Sequence, residues 1–149
     1  MQINGIAHVQ LTVNRFRECG DFYRQLFAFF EMAIVYDDDT TLYGVGGRTA
    51  VLIRPSDPEY RGERFAQRRI GLHHLCFRLR SREDVDSLHE FLRRIEAHVV
   101  HAPEDGPWAE GYYSVLFEDP DGIRLEANFV PGKGNLDPSV KLPLSPPGK

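Results

Sequence analysis

The sequence predicts an α+β fold made of two copies of one strand-helix-strand-strand-strand unit. The first observation is an internal repeat, because residues 5–9 (Gly-Ile-Ala-His-Val) align with residues 71–75 (Gly-Leu-His-His-Leu). The same offset relates the apolar positions of two helical segments, for example Phe22 and Leu88. A repeat at a fixed offset indicates two copies of one supersecondary unit.

In the first unit, alternation predicts an opening strand over residues 6–13, with Val9 on its apolar face and His8 on its polar face. Asn14 is expected to cap the helix that follows. Three short strands should come next, separated by the turn signals Asp-Asp-Asp and Gly-Gly. We place these strands at about residues 32–36, 41–45 and 49–54.

In the second unit, alternation over residues 71–79 predicts a strand whose polar face carries His74. Ser81 and Asp84 form a capping-box signature for the second helix. The turn Asp-Pro-Asp-Gly at residues 119–122 separates the last two strands. We place the three closing strands at about residues 99–101, 111–118 and 123–129.

These patterns divide the chain into four parts: a first module (1–54), a charged linker loop (55–70), a second module (71–130) and a tail rich in proline and glycine (131–149). The tail is expected to be either an extended end or an arm that lies across a partner subunit. The residues that would anchor such an arm are Leu136, Val140, Leu142 and Leu144.

Composition restricts the classes of function. The 149 residues are 42% hydrophobic and 27% charged, as in ordinary globular proteins. A net charge of −4 without a basic stripe argues against nucleic acid as a partner. No apolar run is long enough to span a membrane, and no signal peptide is visible, so the cytoplasm is the expected location.

Three side chains with metal-binding capacity share the polar faces of different predicted strands: His8, His74 and Glu126. Two histidines and one carboxylate, with positions left for water and substrate, are typical of non-heme Fe(II) oxygenases. The same set also accepts Mn(II), Zn(II), Ni(II) or Co(II). The ordinary alternative for a single histidine is a structural or surface role.

These residues resemble the vicinal oxygen chelate superfamily, which includes glyoxalase I, extradiol dioxygenases, fosfomycin-resistance proteins and bleomycin-binding proteins. The similarity covers about residues 3–130, and its motifs lie at residues 7–9, 22–26, 71–77 and 119–126. It implies two βαβββ modules that form a curved, cup-shaped mixed sheet, with helices on the outer face. It also implies one divalent metal bound by His8, His74 and Glu126. His73, which alternation assigns to the helix-facing side, is not carried over.

Two departures from the family pattern narrow the range of reactions that the chain is expected to catalyse. Glyoxalase I has a further carboxylate ligand on the last strand of the first module, but residues 50–54 contain no acid, so this activity is disfavoured. Extradiol enzymes use a tyrosine on the strand before the closing motif. Leu116 occupies that position, and Tyr112 and Tyr113 come slightly earlier.

Other side chains are candidates for catalysis or substrate binding. Tyr113 and His101 are candidate catalytic groups, although a surface position is the ordinary alternative for His101. The candidate substrate-binding residues are Trp108, Tyr113, Arg78 and Arg54. Each arginine has the alternative of a salt bridge or plain solvation, and Trp108 that of an apolar plug.

The sequence therefore predicts a metal-dependent enzyme that binds a small substrate through adjacent oxygens. An extradiol-type dioxygenase that uses Fe(II) and O2 comes first. The alternatives are a thiol transferase of the fosfomycin-resistance kind, a glyoxalase-like lyase or isomerase, and a non-catalytic drug- or metabolite-binding protein. A homodimer is expected, with the two modules of one site drawn from either one chain or two.

Overall fold

The computed structural model describes residues 1–137 and Ser139. The chain forms two compact units. The first comprises residues 1–66 together with residues 119–122, and the second begins at Gln67 and contains the rest of the described chain. Each unit contains one four-stranded open sheet and one long helix.

The first unit has the element order β1 (Val9–Val13), α1 (Phe16–Phe29), β2 (Ala33–Asp37), β3 (Leu42–Gly46) and β4 (Thr49–Pro55). The strands are arranged β1-β4-β3-β2, with β1 parallel to β4 and the other pairs antiparallel. The predicted opening strand is three residues too long at its start, because residues 6–8 are exposed and precede the ladder. A short 3-10 helix, Pro58–Tyr60, follows β4.

The prediction that Asn14 caps α1 is wrong, because the N-cap residue is Arg15 and its side chain makes no cap hydrogen bond. A distant acid, Asp121, instead holds the two residues before the helix. The backbone N–H groups of Asn14 and Arg15 both donate to the carboxylate of Asp121, and Arg15 Nε donates to it at 3.0 Å. The side chain of Asn14 instead accepts from Ser56 Oγ and donates to the carbonyl of Glu63. Hydrogen bonds to an ionised carboxylate are strong, so Asp121 fixes the backbone that leads into α1.

The second unit has the order β5 (Leu75–Arg78), α2 (Arg82–Arg94), β6 (His98–Asp105), β7 (Tyr113–Glu118) and β8 (Arg124–Phe129). The strands are arranged β5-β8-β7-β6, with β5 parallel to β8. Strand β6 is longer than predicted, and its register against β7 shifts twice. One shift lies between His101 and Glu104 and accommodates Pro103, which has no N–H to donate to the ladder.

The second helix begins as the sequence predicts. Ser81 is its N-cap residue, and its hydroxyl accepts the backbone N–H of Asp84 at 3.1 Å. Burial of Val85, Leu88 and Leu92 then holds one face of α2 in the core of the unit.

The predicted α+β class and the two βαβββ modules are confirmed. None of the helices in the described part of the chain is long and apolar enough to cross a membrane. Leu136 lies in a 3-10 helix, Gly134–Leu136, and is exposed. The other proposed anchors of a C-terminal arm, Val140, Leu142 and Leu144, lie outside the described residues.

Candidate functional site

The centre of the site is a carboxylate buried in the second unit. Glu126 lies in the middle of β8, paired with Cys76 of β5 on one side and Leu116 of β7 on the other. It is 8% exposed. Its Oε2 lies 3.0 Å from His74 Nε2, and its Oε1 accepts the hydroxyl of Tyr112 at 2.6 Å. Alternation along β8 predicts this inward position, and the neighbouring strands enclose it.

Hydrogen bonding keeps this buried acid ionised. Burial by itself would raise the pKa of Glu126, but hydrogen bonds from His74, Tyr112 and Ser114 lower it below its ordinary value. Burial and then the hydrogen bond to Glu126 raise the pKa of Tyr112, so its hydroxyl stays a donor. Glu126 is therefore an oriented anion with one oxygen facing His74.

His74 makes a second contact, with the histidine next to it. The Nδ1 atoms of His73 and His74 lie 2.7 Å apart, and their rings are 73° from parallel. Gln67 Nε2 lies 3.3 Å from His73 Nδ1. Desolvation, and then the charge of His74, lower the pKa of His73. Alternation assigned His73 to the helix-facing side, but β5 begins only at Leu75, so strand alternation does not direct these two side chains.

The first unit has a histidine at the equivalent position but no matching acid. His8 directly precedes β1, as His74 directly precedes β5, and it is exposed. In the second unit Cys76 pairs with Glu126, and the corresponding pair in the first unit is Gln10 with Leu52. The residue that stands in place of the acid is therefore apolar.

A glycine lets Tyr112 reach the acid. Tyr112 directly precedes β7, and its carbonyl accepts the N–H of Gly106 at 2.9 Å. A Cβ atom at Gly106 would lie 2.8 Å from Cδ1 of Tyr112 and 3.1 Å from Cδ1 of Trp108. Trp108 is 39% exposed beside this pair. The sequence-based interpretation of Tyr112 as too early in the chain misses this contact, because Tyr112 lies outside the strand ladder.

Four other candidates lie in different surroundings. Tyr113 donates its hydroxyl to Asp86 of α2 at 2.7 Å, and the guanidinium of Arg82 lies over its ring. Nδ1 of His101 contacts the carbonyl of Ala102 at 3.1 Å. Arg78 donates to the backbone carbonyls of Val130 and Gly132, and Arg54 is exposed at the end of β4. Within the described residues, none of these four side chains hydrogen-bonds to or forms an ion pair with Glu126.

The His74–Glu126 pair fits one edge of a metal coordination sphere. Two ligands bound about 2.1 Å from a metal at right angles lie about 3.0 Å apart, which matches the observed distance. Imidazole nitrogen and carboxylate oxygen suit Fe(II), Mn(II), Zn(II), Ni(II) and Co(II). Among residues 1–137 and Ser139, no three His, Cys, Asp or Glu side chains are grouped so as to hold a metal. The structure thus provides two candidate ligands in one unit.

The second of the two βαβββ modules carries a half-buried histidine in contact with a buried carboxylate. A model of the Glyoxalase/Bleomycin resistance protein/Dioxygenase superfamily matches residues 5–127, and the chain belongs to this superfamily. Members bind small-molecule substrates and typically depend on a divalent metal.

Three relatives illustrate the range of similarity. The uncharacterized protein YqjT of Bacillus subtilis is 33% identical over 78 residues, which are 51% of this chain and 59% of that protein, so the match spans less than two thirds of that relative. A glyoxylase/bleomycin resistance protein/dioxygenase domain from Frankia sp. EAN1pec is 28% identical, with a TM-score of 0.71 over 86% of this chain and 98% of that one. The fosfomycin resistance protein FosX from Listeria monocytogenes is 19% identical, with a TM-score of 0.64 over 87% and 95%, and supports the fold alone.

Proposed function

We propose that this protein is a divalent-metal-dependent enzyme that acts on a small substrate through two adjacent oxygen atoms. The observation that carries the proposal is the 3.0 Å contact between His74 and the buried, ionised Glu126. A buried carboxylate is costly unless it is paired with positive charge. His8 is the proposed third ligand, and its support is the repeat, which gives it the position of His74 in the first unit.

The residues of the second unit prepare the acid for a metal. Tyr112 fixes Oε1 of Glu126, so Oε2 remains directed at His74. Ser114 adds a further hydrogen bond to the same carboxylate. Groups that orient metal ligands in this way set both affinity and geometry. A bound divalent metal would act as a Lewis acid that polarises the two substrate oxygens.

We propose extradiol-type, O2-dependent cleavage with Fe(II) as the first reaction to test. Leu52 occupies the register that Glu126 holds in the second unit, so β4 offers no additional carboxylate. A two-histidine, one-carboxylate set leaves positions for both substrate oxygens and for O2. Because β4 carries no carboxylate, a glyoxalase-like site with four protein ligands is disfavoured.

Metal content tests the site. The metal-free protein would be loaded anaerobically with Fe(II), Mn(II), Zn(II) or Co(II), and bound metal measured by elemental analysis. We expect one metal per site in the wild type and loss of stoichiometric binding in His8→Ala, His74→Ala and Glu126→Ala. His89→Ala, on α2, is the control and should bind normally. Stoichiometric metal in all three ligand variants would reject the assignment.

Oxygen consumption tests the reaction. The Fe(II) protein is expected to consume O2 with at least one member of a broad catechol panel, and His74→Ala should abolish the uptake. Metal binding without any uptake would reject the dioxygenase reaction and favour a lyase or thiol transferase. A protein that binds panel compounds but no metal would instead be a binding protein, and the proposed function would fail.

We also propose a homodimer. Strand β2 lies at the edge of the first sheet, and its residues Ile34, Val35 and Tyr36 are all exposed. An apolar edge strand is a template for pairing with another chain. Sedimentation velocity should show a dimer at micromolar concentration, and a monomer alone would contradict this expectation.

A further inference from the structure

We propose that the second unit contains a further small-molecule site, a cavity of about 370 Å³ that takes a ligand with one ammonium and one carboxylate group. The cavity lies between residues 109–110, which precede β7, and the segment that begins at Val130, directly after β8. The inference goes beyond the proposed metal chemistry and does not rest on it.

Close backbone contacts build the walls of this cavity. A Cβ atom at Gly111 would lie 2.8 Å from Cγ of Pro131, and one at Gly134 would lie 2.6 Å from Cβ of Val130. Both glycines have positive φ, 71° and 52°, which side chains disfavour. Arg78 holds the same turn, because its guanidinium donates to the carbonyl of Val130 at 3.2 Å. The two segments are therefore held together by specific packing.

The charges that line the cavity favour a ligand with both signs of charge. Lys133 and Glu110 are exposed there, and neither side chain forms an ion pair or hydrogen bond within residues 1–137 and Ser139. Asp137 also lines the cavity, but its Oδ1 already accepts the backbone N–H and the hydroxyl of Ser139, at 2.9 and 2.6 Å. A ligand carboxylate can therefore pair with Lys133, and a ligand ammonium with Glu110.

The size and the apolar walls restrict the ligand further. A volume of about 370 Å³ is near the lower end of the range of small-molecule pockets, about 300–1,000 Å³. Ala109, Val130 and Pro131 provide apolar surface between the charged groups. A free aliphatic amino acid and a short aliphatic peptide share the required chemistry, and they differ in length.

The cavity is separate from the candidate metal site. Neither His74 nor Glu126 lines it. Val130 follows Glu126 by four residues along β8 and its end, and a strand rises about 3.3 Å per residue, so the two positions are about 13 Å apart.

The test compares ligands that differ in one charged group. Leucine has both groups, isopentylamine lacks the carboxylate, and isocaproate lacks the ammonium; dialanine represents a peptide. Ligand-observed NMR titration of the full-length protein measures each affinity. An exposed ion pair strengthens binding by about twofold to fivefold. We therefore expect leucine or dialanine to bind, and the better of the two to bind more tightly than either singly charged probe by at least that factor.

Variants of the lining residues locate the bound ligand. Lys133→Met and Glu110→Gln should each weaken binding by about twofold to fivefold, and Lys133→Arg should retain it. Ala109→Phe should cause the largest loss, because the ring fills the cavity. The control is Glu90→Gln, an exposed acid on α2, and it should leave affinity unchanged.

His74→Ala separates this cavity from the metal site, since an amino acid can also chelate a metal. We expect unchanged leucine or dialanine affinity in this variant, and a loss of binding would overturn the separate site. Equal affinity for leucine, isopentylamine and isocaproate, no binding of either zwitterion, or full affinity in both Lys133→Met and Glu110→Gln would also overturn it. None of these results alters the metal content on which the proposed function depends.

Discussion

The two units share one architecture and differ at one chemically decisive register. Both have the same element order, the same sheet order and a parallel pair between their first and last strands. In the second unit the last strand places Glu126 beside Cys76, whereas in the first it places Leu52 beside Gln10. One scaffold therefore provides a buried anion in one copy and an apolar side chain in the other.

The supporting groups differ in the same way. Glu126 has His74, Tyr112 and Ser114 as hydrogen-bond partners, and these compensate for its burial. Leu52 needs no such partners. The repeat therefore accounts for the fold, while the candidate metal site depends on a few side chains around Glu126.

The largest effect on metal binding is expected from removing the charge of Glu126. Glu126→Gln keeps the shape of the side chain but removes the anion, and we expect at least about 100-fold weaker metal binding, because the loss of a ligand should exceed the loss of a group that orients one. Isothermal titration with Mn(II) measures it. The matched change in the first unit, Leu52→Gln, should leave affinity within experimental error, and a comparable loss there would remove the distinction between the units.

The next effect concerns how the two helices begin. Asp121, in a distant turn, holds the two residues before α1, whereas Ser81 caps α2 locally. Asp121→Ala removes a carboxylate that accepts three hydrogen bonds, and we expect a loss of about 2–3 kcal/mol in the free energy of unfolding. Ser81→Ala should cost about 1 kcal/mol. Urea denaturation measures both, and equal losses would contradict the account.

The Asp121 contribution should depend on pH. Burial alone would raise the pKa of Asp121, but hydrogen bonds from Arg15 and Asn14 lower it below that of the unfolded chain. Its contribution is therefore complete above the unfolded pKa and is lost as pH falls through the folded pKa. Between pH 7 and pH 3 the wild type should lose more stability than Asp121→Ala, and parallel pH curves would argue against this contribution.

The smallest effect separates two adjacent tyrosines. Tyr112→Phe removes the hydroxyl on Glu126 and should weaken metal binding by about tenfold. Tyr113→Phe removes a hydroxyl that contacts Asp86 of α2, and it should change metal affinity by much less. Reversed effects in the same titration would show that Tyr113, the sequence-based candidate, supports the site.

Much of the fold could be predicted from sequence, because its determinants are local or repeated. The internal repeat predicts both modules, and alternation along β8 predicts the inward position of Glu126. The capping residue Ser81 also follows from local sequence. Residues 50–54 contain no acidic side chain, so the absence of a carboxylate from this part of β4 also follows from the sequence.

The remaining features depend on contacts between distant residues or on positions outside strands. The carboxylate that holds the residues before α1 belongs to Asp121, more than a hundred residues away, and no local pattern contains it. His73 and Tyr112 each precede a strand, so alternation does not predict where their side chains lie. Gly106 leaves room for the rings of Tyr112 and Trp108, but the sequence does not show that these residues meet.

The central claim is that a divalent metal binds between His74 and Glu126, and anomalous diffraction from crystals loaded with Mn(II) tests it most directly. The account predicts an anomalous peak about 2.1 Å from both His74 Nε2 and Glu126 Oε2. A well-loaded crystal with its anomalous peak elsewhere, and with none between these two atoms, would contradict it.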